Sequence, residues 1–510
     1  MTVADAPEIP DQDLTSFTLE RAAELGDKPA LIDGPSGRTI TFADLAAGVE
    51  ALAGALAKRG IGKGDVVAIY SPNIPEYALL FHGINRANAT ATTANPLYTS
   101  HELAHQLKDS GAKMLFTVPP FLDTARAAAK EVGLTDIVVV GDDYDGDEPS
   151  IKDLRDDAGE APESDIDPKN DLAVLPYSSG TTGLPKGVML SHYNLIANVL
   201  QFNEVIPTTE DDVMIGVLPF FHIYGQSVIM NSGLHYGATI VTMPRFDLPG
   251  FLELIEKHGV TMTFVVPPIA LALAKHPSID DADLSSIKMI MSGAAPLSDE
   301  LAAAVSKRIG KPTIQGYGMT ELSPVSHVAP LDSQKGGSIG PPIPGTECRI
   351  VDPESGEDVD RGELWIRGPQ VMVGYLNNEE ATKDTIDDDG WLHTGDVAEM
   401  DDDGHYAIVD RLKELIKYKG FQVPPAELEG ILINHPAVAD CAVIGVPDDE
   451  AGEIPKAFVV VSDEDVTDDE LMAFVAEKVS PQKKVRIVER IEEIPKSASG
   501  KILRRELAGR

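Results

Sequence analysis

The sequence is poor in cysteine, in aromatic residues and in long apolar runs. Its 510 residues include two cysteines, Cys348 and Cys441, too few for a disulfide framework or a cysteine-ligated metal cluster and typical of a reducing compartment. Its longest apolar runs, such as residues 215–224, are near ten residues, whereas a membrane-spanning helix needs about 20. Residues 1–13 carry four acids and no base, unlike a signal or transit peptide. We therefore expect a cytoplasmic protein without an integral membrane segment.

Basic residues are also scarce. Lysine and arginine total 42 against 82 aspartates and glutamates, so the net charge is -40. Such a field repels nucleic acid and anionic membranes, and we expect no nucleic-acid partner. The acids are spread along the whole chain beside an ordinary hydrophobic content of 43%. This pattern favours adaptation to molar salt, which screens self-repulsion; the alternative is a merely acidic protein from an ordinary environment.

Helix and strand patterns alternate through most of the chain. Thr41 and Asp44 form a capping-box pattern before a run with helical periodicity. Residues 66–70 form a short apolar run that reads as a buried strand. The same succession of helix and strand recurs over residues 100–118 and 251–266. Alternation of this kind predicts a layered α/β architecture with largely parallel sheets.

The pattern changes twice towards the C-terminus. From about Gly345 short alternating strands predict a small β-rich unit, and the last hundred residues predict a separate α+β unit. Residues 141–171 hold thirteen acids, which predicts a solvated connector. The fold class is therefore α/β, with a large N-terminal body over residues 1–411 and a small C-terminal domain over residues 412–510, whose mobility the resemblance described below implies.

A loop rich in glycine and hydroxyl groups follows the apolar run at residues 172–175. Residues 177–188 supply backbone N–H groups, hydroxyl donors and the cation of Lys186, which are the parts of a polyphosphate cradle. It is not a Walker loop, because Pro185 and Gly187 occupy the positions where that motif needs glycine and serine or threonine. The predicted phosphate-binding residues are Ser178, Ser179, Gly180, Thr181, Thr182, Gly183 and Lys186.

Two further segments complete the features of a nucleotide site. In residues 315–321 the glycines allow a flat ligand to approach the backbone, Tyr317 offers an aromatic face, and Glu321 is a hard oxygen ligand suited to Mg2+. Asp396, in a Thr-Gly-Asp segment, can accept two hydrogen bonds from a ribose diol. Basic residues also cluster at residues 411–419, where an inverted local charge in so acidic a chain indicates an anionic ligand.

Taken together, these segments resemble the AMP-forming acyl-CoA synthetases, the superfamily that also contains nonribosomal adenylation domains and firefly luciferase. The resemblance covers about Phe17 to Glu506 and is greatest to 4-coumarate–CoA and fatty acid–CoA ligases. It implies an ATP-dependent enzyme that activates a fatty or aryl carboxylic acid as acyl-AMP, releases pyrophosphate and transfers the acyl group to CoA. ATP, Mg2+ and CoA are the implied cofactors and co-substrates, and the resemblance is compatible with a homodimer.

The resemblance also implies roles for single residues. Tyr317 would stack on adenine, Thr320 would contact phosphate and join Glu321 at the metal, and Asp396 would bind ribose. Lys413 matches the lysine variant of the family's hinge. The remaining residues implied to bind nucleotide or CoA are Gln315, Gly316, Gly318, Arg411, Lys419, Gly420 and Gln422.

The catalytic residues are implied by the same resemblance. Lys501 matches the lysine that acts in adenylation, and rotation of the small domain would replace it by Lys417 beside the thiol channel; Thr182 of the phosphate loop is a further catalytic candidate. His222 would stand at the mouth of the acyl pocket. The residues expected to line that pocket are His222, Tyr224, Gly293 and Ala295. A stand-alone enzyme that loads a carrier protein and a luciferase-like oxygenase remain the alternatives.

Overall fold

Four β-sheets form the framework of the protein. The computed structural model describes residues 5–141, 144–178, 185–419, 421–448, 450–463, 465–497 and 500–508. Within these ranges the helices are α1 (Leu14–Thr18), α2 (Ala22–Leu25), α3 (Phe42–Lys58), α4 (Glu76–Arg86), α5 (Ser100–Ser110), α6 (Leu122–Val132), α7 (Ile151–Asp156), α8 (His192–Val205), α9 (Ser232–His235), α10 (Leu248–His258), α11 (Pro267–Lys275), α12 (Asp299–Ile309), α13 (Glu379–Thr385), α14 (Pro425–Leu432), α15 (Asp468–Ala476) and α16 (Arg504–Ala508).

The strands of the same ranges follow in chain order. They are β1 (Pro29–Asp33), β2 (Thr39–Thr41), β3 (Val66–Tyr70), β4 (Thr90–Ala94), β5 (Ala112–Thr117), β6 (Ile137–Val139), β7 (Leu172–Ser178), β8 (Lys186–Ser191), β9 (Val213–Gly216), β10 (Thr239–Thr242), β11 (Met262–Val265), β12 (Met289–Ser292), β13 (Thr313–Gly318), β14 (Val325–Val328), β15 (Glu347–Val351), β16 (Arg361–Arg367), β17 (Gly374–Tyr375), β18 (Leu392–Met400), β19 (Tyr406–Arg411), β20 (Ile416–Tyr418), β21 (Phe421–Val423), β22 (Val438–Asp448), β23 (Gly452–Val461) and β24 (Ile487–Arg490).

Two of the sheets are mostly parallel. One has the order β14-β13-β12-β11-β9-β10-β1-β2, and the other has the order β17-β8-β7-β4-β3-β5-β6. In the second sheet, strands β3 to β7 pair in parallel, whereas β8 pairs antiparallel with both of its neighbours, β7 and β17. Strand β4 is buried at every position, as expected for a parallel strand covered by helices on both faces. The predicted α/β class is confirmed.

Two smaller sheets follow in the chain. The predicted β-rich unit is the antiparallel sheet β15-β16-β18-β19, and the C-terminal sheet has the order β21-β20-β23-β22, with β24 beside β23. The C-terminal sheet and helices α14 and α15 enclose a hydrophobic cluster of their own, which includes Leu428, Val443, Val459 and Leu471. No helix in the described ranges is long and apolar enough to cross a bilayer.

Helix boundaries follow the capping signals of the sequence. The Thr41 side chain accepts a hydrogen bond from the Asp44 amide, and the reciprocal bond completes the predicted capping box of α3. Helices α5, α6, α10 and α12 each end at a glycine in the left-handed region, where a side chain would be strained.

The predicted solvated connector is wrong over part of its length. Helix α7 lies within residues 141–171 and begins with a capping box between Ser150 and Asp153. Ile151 and Leu154, three residues apart on one face of this helix, are buried in the main core. Further along, the backbone at Gly159 passes so close to Gly54 of α3 that a Cβ at Gly54 would collide with it. The high acid content had concealed a short amphipathic helix.

Candidate functional site

A cavity opens at the carboxyl ends of β12 and β13, the edge at which parallel sheets generally bind ligands. It is lined by residues from three of the segments singled out in the sequence and by one residue from the C-terminal domain. The lining residues are His222, Ile223, Tyr224, Met291, Gly293, Ala294, Gly316, Tyr317, Gly318, Met319, Thr320, Pro324, Val325 and Lys501.

Tyr317 and Asp396 meet although they are 79 residues apart in sequence. The Tyr317 hydroxyl donates a 2.6 Å hydrogen bond to Asp396 Oδ2. Burial raises the pKa of both groups, and the attraction of Arg411 partly opposes the rise at Asp396. Arg411 Nε lies 3.5 Å from Asp396 Oδ1, because β18 and β19 pair these two residues directly. The aromatic ring, the carboxylate and the guanidinium therefore form one site.

Glu321 belongs to a second polar cluster at the phosphate loop. Its Oε1 accepts hydrogen bonds from Ser178 Oγ at 3.1 Å and from the Tyr375 hydroxyl at 2.8 Å. Lys186 Nζ lies 4.6 Å from the centre of the Tyr375 ring. Burial and the charge of Glu321 raise the pKa of Tyr375, so its hydroxyl stays a donor. Glu321 is thus held beside both described ends of the loop.

Tyr375 was missed by sequence reasoning. It lies on the two-residue strand β17, which pairs with β8 so that Tyr375 is opposite Val188. Two residues are too few to show any periodicity, and the sequence itself carries no other signal of this pairing. The remaining predicted loop residues Ser179, Gly180, Thr181, Thr182 and Gly183, and also Gly420, lie outside the described residues.

Lys501 reaches the cavity from a tight turn near the C-terminus. Its amide donates to Ser497 Oγ at 3.1 Å, its carbonyl accepts from the Ser497 amide, and Gly500 adopts a φ of 80° within the turn. Before the turn, Lys496 Nζ pairs with Asp440 Oδ2 at 2.6 Å. Burial lowers the pKa of Lys501, while nearby carboxylates, among them those of Glu321 and Asp396, act in the opposite direction.

The predicted acyl-pocket residues are only partly gathered. His222, Tyr224 and Gly293 line the cavity, but Ala294 takes the place expected for Ala295, which is not among the lining residues. Burial, with a smaller effect from Lys501, lowers the pKa of His222 to about 4, so the imidazole is neutral near pH 7. A Cβ at Gly293 would lie 2.9 Å from Tyr224 Cε1, so a larger residue there would push the tyrosine ring aside.

Other predicted residues lie away from the cavity lining. Gln315 Oε1 accepts from the Leu297 amide at 2.5 Å, so this side chain supports the neighbouring loop. Lys417 and Gln422 face each other across strands β20 and β21 and are exposed, and Lys419 follows β20 with a φ of 48°. The roles proposed for these residues in nucleotide or CoA binding stay predictions.

A set of buried acids surrounds the predicted hinge. Asp410, 5% exposed, accepts hydrogen bonds from the Arg411 amide at 2.7 Å and from the Ala426 amide at 3.0 Å. Burial raises the pKa of Asp410 to about 6 and that of Glu429 to about 7. Arg504 Nη2 contacts both Glu429 oxygens, at 2.7 and 2.8 Å, and opposes this rise.

Comparison with known proteins agrees with this geometry. Residues 19–376 match the AMP-binding enzyme family, and residues 427–501 match the AMP-binding enzyme C-terminal domain. The chain therefore belongs to the AMP-binding enzyme family, and the fold class and the resemblance read from the sequence are confirmed.

Similar proteins are ligases. The chain is 45% identical to 4-coumarate–CoA ligase 3 of Oryza sativa subsp. japonica over 98% of its own length and 92% of the relative's. Among solved structures, ATP-bound MatB from Rhodopseudomonas palustris has a TM-score of 0.88 at 30% identity, covering 98% of this chain and 99% of that one. The anthranilate CoA ligase AuaEII with anthranoyl-AMP has a TM-score of 0.90 at 28% identity, covering 99% and 98%.

Proposed function

We propose that this protein is an ATP-dependent carboxylate–CoA ligase that works through an acyl-AMP intermediate. The observation that carries the proposal is the entry of Lys501, from the C-terminal turn, into the cavity lined by Tyr317 and His222. A buried ammonium beside an aromatic face and a ribose-binding carboxylate suits a reaction at the α-phosphate of a nucleotide. The relatives that are named 4-coumarate–CoA ligases support the same assignment.

In the first half-reaction a carboxylate oxygen attacks the α-phosphorus of ATP, an acyl–phosphate bond forms, and pyrophosphate leaves with the electron pair of the broken bond. Two anions must meet, so catalysis depends on positioning and on neutralising charge. Lys501 supplies positive charge at the cavity, and Tyr317 and Asp396 hold the adenosine. Neutral His222 borders the acyl side without adding a charge that would compete with Lys501 for the carboxylate.

Glu321 fits the role of a magnesium ligand. Mg2+ is usually held by one or two carboxylates together with substrate phosphates, and Glu321 lies within hydrogen-bonding distance of Ser178 at the start of the phosphate loop. The described residues hold no group of three or more His, Cys, Asp or Glu side chains that could bind a metal by themselves. The ion would arrive with ATP, held by Glu321 and Thr320, and would neutralise phosphate charge.

In the second half-reaction the CoA thiol attacks the acyl carbonyl and loses its proton. A thioester forms, the acyl–phosphate bond breaks, and AMP leaves with the electron pair of that bond. Lys501 occupies the cavity in the present arrangement, so the thiol needs that space to be vacated. Rotation of the C-terminal domain about Lys413 would withdraw Lys501 and bring Lys417, Lys419 and Gly420 to the thiol channel. This is gating of the kind that lids and domain closures provide.

The substrate we propose is a fatty or aryl carboxylic acid of the 4-coumarate kind. Glycine and alanine at residues 293 and 294 leave room beside Tyr224 for a ring or an alkyl chain. We further propose that it is a cytoplasmic enzyme of fatty acid metabolism, that it is adapted to high salt and that it assembles as a homodimer. The acidic composition supports the salt adaptation.

The test is pyrophosphate release in molar KCl with ATP and Mg2+, with and without CoA. The acids are acetate, octanoate, palmitate, benzoate and 4-coumarate. We expect CoA-stimulated release with one of the longer or aromatic acids, together with the acyl-CoA product. Release that is indifferent to CoA would point instead to an enzyme that loads a carrier protein, and oxygen uptake with acyl-adenylate would point to an oxygenase. No release with any acid would contradict the proposal.

A further inference from the structure

Five charged side chains alternate in sign from the nucleotide site to the C-terminal turn. Asp396 Oδ1 is 3.5 Å from Arg411 Nε, and Arg411 Nη1 is 3.4 Å from Glu414 Oε1. Glu414 Oε2 is 3.3 Å from Arg504 Nε, and Arg504 Nη2 is 2.7 Å from Glu429 Oε1. We name this series the ion-pair chain.

The two ends of the ion-pair chain have different surroundings. Asp396 accepts the hydrogen bond of Tyr317 in the cavity, whereas Glu429 lies on α14 and accepts from the Val443 amide in the C-terminal sheet. The side chains of the ion-pair chain are between 13% and 38% exposed, so they are partly shielded from water. Partly buried pairs of this kind are screened by salt less than exposed ones are.

One link of the ion-pair chain, the Arg411–Glu414 pair, spans the predicted hinge. Arg411 precedes Lys413 and Glu414 follows it, so any rotation about Lys413 must change the distance between these two side chains. The other links each join residues on one side of the hinge. A second contact also spans the hinge: Asp410 accepts through its two oxygens from the amides of Arg411 and Ala426, which holds the start of α14 against the end of β19.

Arg504 stands three residues after Lys501, directly behind the turn that carries the lysine. Its pairs with Glu414 and Glu429 fix the C-terminal side of that turn, as the pair of Lys496 with Asp440 fixes the other side. The position of Lys501 in the cavity is thereby linked to the position of Glu414 beside Arg411.

We propose that Glu414 is a positioning residue that holds the adenylation arrangement by joining Arg411 of the nucleotide site to Arg504 behind Lys501. The inference rests on the proposed function, because it needs the two half-reactions. While both pairs are made, Lys501 stays in the cavity and adenylation proceeds. When the Arg411–Glu414 pair opens, together with the Asp410–Ala426 hydrogen bond, the C-terminal domain turns and the thioester step follows. Glu414 touches no substrate in this scheme.

The test compares the two half-reactions in Glu414→Gln. Adenylation is measured as acid-dependent ATP–pyrophosphate exchange, and the thioester step as CoA attack on supplied acyl-adenylate. We expect the kcat of exchange to fall about tenfold, in the range of couplings between charged neighbours. The KM for the acid and the rate of the thioester step should stay within about twofold of wild type. Lys501→Ala serves as the reference for complete loss of adenylation alone.

Two further variants separate positioning from general damage. Glu427→Gln removes a similar charge from α14, in the same domain, but Glu427 pairs with Lys483 and not with any member of the ion-pair chain, so this variant should leave both half-reactions unchanged. Arg504→Met should lower exchange as Glu414→Gln does, and the double variant should lose less than the product of the two single effects. If Arg504→Met does not fold, Glu414→Gln still decides the matter.

The possible outcomes are distinct. Equal loss of both half-reactions in Glu414→Gln, or no loss in either, would overturn the inference while the wild-type activity upholds the proposed function. Wild-type protein that releases no pyrophosphate with any acid would overturn the proposed function, and the inference with it.

Discussion

At the scale of single residues, the properties of a buried side chain depend on the hydrogen-bond partners held beside it. Glu321 is 6% exposed, yet its Oε1 accepts from two hydroxyls, those of Ser178 and Tyr375. A buried carboxylate without such donors would bear a large desolvation cost. The Tyr375 hydroxyl therefore replaces a hydrogen bond from water that the Glu321 carboxylate would have at the surface. It also fixes the orientation of the carboxylate.

Tyr375→Phe removes that donor and keeps the ring that Lys186 covers. A hydrogen bond to a charged group contributes about 1.5–3 kcal/mol, so we expect ATP–pyrophosphate exchange to fall about tenfold or more. The thioester step with supplied acyl-adenylate should change less. Tyr193→Phe is a matched control, because Tyr193 packs under Lys169 away from the cavity. Unchanged exchange in Tyr375→Phe would show that Glu321 needs no such support.

Several site residues could be identified from the sequence because their chemistry is visible in the motif. The structure does bring Tyr317, Asp396 and Lys501 to one place. Ala294, and not Ala295, is among the residues that line the cavity, and Ala294 has a φ of 68°. Sequence periodicity carries no information about one such angle. The role of Ala295 in the acyl pocket stays a prediction.

At the scale of elements, the segment after His222 departs from ordinary helix geometry. Residues Tyr224–Asn231 form a π-helix, a form that is rare and often found at functional sites. Gly225 lies in its first turn, where a Cβ would lie 2.7 Å from Leu218 O and would also collide with Pro219 O. Since both neighbours are backbone atoms, neither can move aside easily.

Gly225→Ala should therefore lower thermal stability and displace Tyr224 from the cavity wall. We expect a cost of about 1–3 kcal/mol, as for other overpacked sites, and a raised KM for the acid. The matched control is Gly430→Ala in α14, where a Cβ meets nothing within 4 Å. That control should be neutral or stabilising by about 0.5–1 kcal/mol. Thermal unfolding and acid titration measure both variants, and equal behaviour of the two would contradict the packing argument.

The start of α3 agreed with expectation, whereas α7 and β17 were missed. The capping box at Thr41 specifies the start of α3 from four consecutive residues. Helix α7 and strand β17 depend on partners far away in sequence, α3 and β8 respectively. Amino-acid composition predicted that the region of α7 is exposed to solvent. The region contains many acidic residues and only two buried apolar residues in α7, so its average hydrophobicity is low.

At the scale of the whole molecule, the net charge of -40 governs behaviour in solution. Self-repulsion of that size opposes compactness, and salt shortens the screening length from about 10 Å at 0.1 M to about 3 Å at 1 M. Exposed ion pairs weaken over the same range but contribute little each. The repulsion summed over the surface should outweigh them.

We therefore expect both activity and the midpoint of thermal unfolding to rise with KCl into the molar range. Pyrophosphate release and thermal unfolding, each measured between 0.1 and about 3 M KCl, check this expectation. Matched measurements in a neutral osmolyte separate screening from general stabilisation by excluded solutes. A maximum at low salt, with precipitation above it, would refute the salt adaptation.

The turn that carries Lys501 is fastened at both of its ends, to Asp440 before it and to Glu429 behind it. In the proposed mechanism, withdrawal of Lys501 from the cavity therefore moves this turn together with the rest of the C-terminal domain, about a fifth of the chain. Each cycle of the proposed mechanism then requires the C-terminal domain to rotate outward and back, on the microsecond-to-millisecond scale of such motions. We expect such a rotation to slow as solvent viscosity rises, because a moving domain must displace solvent.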